Sequence, residues 1–101
     1  MSKYSLSQEA IHDLDEISSY FAQVSIEAGE RFVKRFADKC RNLIKFPSMG
    51  RSYSEIMPSL RGVPLDGYII LYQVKGEEIE VVRVVSGYRD LDSLFSNEEE
   101  S

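Results

Sequence analysis

Residues 7–47, SQEAIHDLDEISSYFAQVSIEAGERFVKRFADKCRNLIKFP, decide the fold. Ala10, Leu14, Ile17, Phe21 and Val24 recur at alternating spacings of four and three, which is one apolar stripe along a helix. Ser7 precedes it as an N-cap whose hydroxyl can accept from a free N–H of the first turn, and Glu9 suits the positive end of the dipole. Asp13, Asp15, Glu16 and Gln23 are placed on the polar side. Ser25 offers a second N-cap, and Ala28, Phe32, Phe36, Cys40, Leu43 and Ile44 form a second stripe, widened by Val33 and Ala37. Lys39, Arg41 and Lys45 gather towards its C-terminal half, and Pro47 ends it by disfavouring a helical residue before it. With so short a link, the helices fold back as an antiparallel hairpin.

Outward from the hairpin the pattern changes period. Tyr4-Ser5-Leu6 reads as a short strand ahead of it. Residues 47–59 hold three breakers and no period, so they form a surface connection. Leu60 to Leu65 leads into Asp66-Gly67, a type I′ hairpin signal because both turn positions need positive φ. Tyr68 to Val74 and Ile79 to Val85 are two further strands, joined through Lys75-Gly76-Glu77, and the last is apolar on both faces apart from Arg83. The order β-α-α-β-β-β is α+β, a helix hairpin on one face of a largely antiparallel sheet. Residues 1–95 make a single domain, with a short helix at Leu91–Phe95, and 96–101 an acidic tail.

A chain of 101 residues, 43% hydrophobic and 29% charged, has the balance of an ordinary folded domain. One cysteine, Cys40, and one histidine, His12, exclude an internal disulfide and the usual metal clusters, so no metal and no cofactor is implied. No apolar run approaches a membrane span and the N-terminus lacks a signal-peptide pattern, which points to the cytoplasm. The net charge of −5 conceals segregation: residues 1–30 sum to −5, 31–91 to +4 and 92–101 to −4.

Several segments in sequence carry a resemblance: Leu6 to Ala10 with Asp13-Leu14 and Ile17, Ala28-Gly29 with Phe32, and Phe46-Pro47-Ser48-Met49-Gly50-Arg51. Leu60-Arg61, Gly67 to Tyr72, and Val82-Arg83-Val84-Val85-Ser86-Gly87-Tyr88-Arg89-Asp90 continue it. In that order the chain resembles the ParE/RelE toxin superfamily over residues 4–92, the ParE-like branch more closely. The resemblance implies a toxin of a type II toxin–antitoxin pair, of plasmid-stabilisation type, silenced by a cognate antitoxin. ParE-like toxins act on DNA gyrase; RelE-like relatives are ribosome-dependent endoribonucleases that cut messenger RNA. A third possibility is a weakly toxic, degenerate relative.

A ribonuclease needs a proton acceptor, a donor and cations for the phosphorane. The candidates are Arg51, Glu55, Arg61, Arg83, Tyr88 and Arg89, and Arg61, Arg83, Tyr88 and Arg89 would carry catalysis. Ser86 stands where many relatives have a histidine, and His12 is far in sequence from these groups, an exposed helix residue. That favours a protein-binding inhibitor that contacts its target through Arg51, Arg61, Arg83, Tyr88 and Arg89. Arg83, on an apolar strand, needs a partner, and Asp90, Glu55 or a backbone carbonyl are the expected ones. An antitoxin segment that folds on binding would lay a helix on the hairpin, meeting Tyr20, Arg31, Lys34 and Arg35, or add a strand at a sheet edge.

Overall fold

The computed structural model describes residues 3–87. Its elements are β1 (Lys3–Leu6), α1 (Gln8–Val24), α2 (Ile26–Lys45), β2 (Arg51–Ser52), β3 (Arg61–Leu65), β4 (Tyr68–Lys75) and β5 (Glu78–Ser86). The sheet order is β1-β5-β4-β3-β2. β1 runs parallel to β5 and every other neighbour is antiparallel. This is the α+β architecture read from the sequence, with β2 added inside the stretch that reads only as a connection. The short helix at Leu91–Phe95 and the 96–101 tail lie outside the described residues.

Both helix starts follow from their serines. Ser7 Oγ accepts from the Ala10 N–H at 3.0 Å, and Ser25 Oγ accepts from the Ala28 N–H at 3.0 Å. Ser25 also closes α1, since its own N–H donates to the Phe21 carbonyl at 3.2 Å. One residue therefore ends one helix and starts the next, which forces the hairpin. Asp66 (φ 50°) and Gly67 (φ 86°) both occupy the left-handed region, as the β3–β4 turn demands.

The hairpin buries Ala10, Ile17, Phe32, Phe36, Cys40 and Leu43 against Val63, Leu65, Ile70, Tyr72, Ile79, Val81 and Val84. Phe21 and Phe32 stack at 5.2 Å between ring centres, with the Tyr68 ring set edge-on to both. The opposite face carries a smaller core of Tyr53, Leu60, Leu71 and Val85, roofed by the 53–60 segment. Between Leu71 and Tyr72 the β4–β5 register shifts, leaving Val82 as an extra residue in β5. Such a bulge inverts the in–out alternation beyond it.

Burial pushes the Cys40 thiol from its ordinary 9.0 up to about 12. A raised acid contributes stability that is complete below its unfolded pKa and lost as pH rises towards the folded one. Unfolding measured across pH 9–12 should therefore show falling stability, with a shallower slope in Cys40→Ala, and the native thiol should resist alkylation until the chain unfolds.

Candidate functional site: a sheet face flanked by arginines

β1 covers β5 only as far as Val81, so the outer edge of β5 beyond that point has no strand partner in register. The start of α1 supplies the missing acceptors and donors. The Ser7 N–H donates to the Val81 carbonyl at 3.0 Å and the Ser7 hydroxyl to the Val82 carbonyl at 2.7 Å. Asp13 Oδ2 then accepts from the Val84 N–H at 3.0 Å. The same carboxylate receives Arg83 in a two-point contact, Nε to Oδ2 at 2.7 Å and Nη2 to Oδ1 at 3.1 Å. Both side chains are largely buried, at 17% and 10% exposed.

This corrects two sequence expectations. Asp13 is buried rather than solvated on the polar side of its helix, and it takes up Arg83, a partner not among those expected; Asp90 lies outside the described residues. The signal was present. Asp13 follows Ala10 by three and precedes Ile17 by four, so it lies on the face those residues bury.

Arg83 pairs across the sheet with Leu71, Leu71 with Gly62, and Gly62 with Arg51. Directly opposed residues share a face, and Leu71 belongs to the smaller core on the face away from the helices. Arg51 and Arg83 thus lie at opposite ends of one row on that face, three strand spacings or about 14 Å apart. The Arg51 guanidinium sits 4.6 Å above the Tyr53 ring and its Nη1 reaches the Tyr53 hydroxyl at 3.4 Å. Tyr53 in turn packs on Gly62, where an added Cβ would come within 2.8 Å of Tyr53 Cε2 and 2.9 Å of Ile69 Cγ2. Ile69 and Val82, both half-exposed, complete the apolar ground between the arginines.

Arg61 is not in this row. It opposes Tyr72 on the helix side, and its Nη1 donates to the Gly50 carbonyl at 2.8 Å and the Ser48 carbonyl at 3.3 Å. Tyr88 and Arg89 lie outside the described residues. His12 is exposed, 3.4 Å from Glu16. The fold brings it beside Arg83 in a shallow cleft of about 290 Å³ that Glu9 and Asp13 also line, a proximity their separation in sequence hides. Among the described residues no group of three or more His, Cys, Asp or Glu side chains gathers as metal donors would.

The outer face of the hairpin holds an open groove of about 490 Å³, lined by Ser18, Ala22, Ile26, Gly29, Val33 and Lys34 among others. Ile26 is 71% exposed at its end, and Tyr20, 62% exposed, lies on α1. Arg31 is exposed on α2, and Arg35 bends to Asp66 of the β3–β4 turn at 3.0 Å. No helix among the described residues is long and apolar enough to cross a membrane.

The segments that carry the resemblance are thus joined in one helix hairpin on a five-stranded sheet. The profile of the ParE toxin of type II toxin–antitoxin systems, parDE, matches residues 4–91, and the chain belongs to that family. It is 29% identical over 59 residues to Toxin ParE3 of Caulobacter vibrioides, an alignment covering 58% of this chain and 59% of the relative's length. The chain also superposes on a structure of the chromosomal ParDE toxin–antitoxin system from P. aeruginosa, with a TM-score of 0.70 and 21% identity over 85% of this chain and 96% of that one.

Filling the space at Gly62 tests the packing beneath Arg51. Gly62→Ala should lower unfolding free energy by about 1–3 kcal/mol, the usual cost of overpacking, and loosen the Tyr53 ring, read as a shift in its aromatic NMR signals.

Proposed function

We propose that this ParE-family chain poisons DNA gyrase by protein–protein contact, without cleaving a bond itself, and that a cognate antitoxin neutralises it. The observation that carries this reading is the occupation of its arginines. Two guanidinium groups that a ribonuclease would aim at a phosphorane are committed elsewhere, Arg83 to Asp13 and Arg61 to two loop carbonyls. His12, the one histidine of the sequence, sits among Glu9, Asp13 and Glu16. With Asp13 taken up by Arg83, the carboxylates of Glu9 and Glu16 beside His12 disfavour a phosphodiester, whereas nucleic-acid binding draws its affinity from cation–phosphate contacts. The far face suits a protein target better: apolar ground with exposed Arg51 at one margin and the Asp13–Arg83 pair at the other.

The antitoxin is assigned to the hairpin groove. An amphipathic segment that orders on binding would set apolar side chains over Ala22, Gly29 and Val33, with Lys34 and Arg31 available to its carboxylates. Arg35 contributes less there, because Asp66 already holds it.

Purified chain should inhibit gyrase supercoiling while leaving messenger RNA on translating ribosomes intact, and His12→Ala should inhibit as strongly as wild type. Codon-positioned cleavage with normal supercoiling would instead establish the RelE-type reaction. Lys34→Glu should weaken antitoxin binding about 5-fold or more, in the range of a rim ion pair, with an unchanged unfolding midpoint; equal affinity would remove the groove from the interface.

A further inference from the structure

The turn from Phe46 to Gly50, between α2 and β2, is held from behind by the sheet. The hydroxyl of Tyr72, a side chain with no exposed surface, donates to the Pro47 carbonyl at 2.7 Å and accepts from the Gly50 N–H at 3.0 Å. Arg61 adds its two bonds to Ser48 and Gly50. The Met49 N–H closes the turn on the Phe46 carbonyl at 3.1 Å.

What this fixed turn presents to solvent is apolar. Phe46 is 63% exposed and Met49 48%, and neither belongs to either core. Between Lys39 and Ser54 the chain carries Lys39, Arg41, Lys45 and Arg51 and no carboxylate. Asp38, just outside, pairs with Arg41. Two large apolar side chains on a turn already ordered by internal bonds, in a basic surround, have the makings of an interface anchor, since little further ordering is lost on binding.

We propose that the Phe46–Gly50 turn is a protein-docking element: Phe46 and Met49 enter an apolar recess on an acidic surface of the toxin's target, and Lys45 and Arg51 meet the carboxylates around it. The inference rests on the toxin reading and gives the chemistry of the surface the toxin engages. It is separate from the hairpin groove. A protein is favoured over a single-stranded nucleic acid because the turn offers one ring and one thioether rather than a row of stacking faces, on a chain of net charge −5.

The test compares wild type with the double variant Phe46→Ser/Met49→Ser, and separately with Lys45→Glu/Arg51→Glu. Each is expressed without antitoxin for growth arrest, and purified for antitoxin binding and thermal unfolding. The expected result is growth arrest weakened about tenfold or more in both variants, the loss of a binding anchor, with antitoxin affinity unchanged in both and the unfolding midpoint unchanged in the Phe46/Met49 variant. Full arrest by the Phe46/Met49 variant overturns the inference, as does a parallel loss of antitoxin binding. So does salt-sensitive binding of a 20-nucleotide single strand that the same substitutions abolish. Growth arrest by wild type with unaffected supercoiling removes gyrase as the target and leaves this inference to the growth comparison.

Discussion

The carboxylate of Asp13 solves a problem posed by the topology. β1 is four residues long and covers less than half of β5 before the chain turns into α1, so the rest of that edge needs another cover. An uncovered edge would leave backbone donors and acceptors unpaired beside the core. Ser7 and Asp13, one helical face apart on the same segment, complete the ladder from the side. Because Asp13 then needs compensation for a buried charge, Arg83 is drawn to it, and an ion pair forms at the seam between helix layer and sheet. Replacing such a pair by apolar groups can be nearly neutral, but removing one partner is costly. Its use here is to fix where α1 sits along β5.

That seam has consequences at a distance. With α1 set against β5, the hairpin turns its small residues Ser18, Ala22 and Gly29 outward as a groove, and leaves the opposite face of the sheet to the 53–60 segment. The protein consequently has two dissimilar surfaces on opposite sides. One is a groove between helices with mixed charge. The other is a sheet face with Arg51 and Arg83 at its margins, next to the basic, apolar turn at Phe46–Gly50.

Much of this architecture was legible in the amino-acid sequence. The two apolar stripes, their serine caps, Pro47 and the Asp66-Gly67 turn act locally, through spacing and φ preference, and each stands where it was read except at the stripe margins, where Val24 and Val33 are exposed. What escaped depends on parity and on contacts between distant segments. The bulge at Val82 breaks strict alternation, so the faces of Arg83 and Val84 could not be counted from Ile79. The partner of Arg83 lies 70 residues away on the first helix. Arg51 and Arg61 are only ten positions apart, yet pairing with Gly62 sends the first to one face and pairing with Tyr72 sends the second to the other. The sequence supplies the candidate cations, but register decides which of them share a surface.

The seam is tested most directly by a double-mutant cycle on Asp13→Asn and Arg83→Met, read by denaturant unfolding. If the carboxylate and guanidinium bind each other as the geometry requires, each single substitution destabilises by about 3 kcal/mol and the pair couples by about 1.5 kcal/mol or more. Additive losses, with coupling within about 0.5 kcal/mol of zero, would contradict the account.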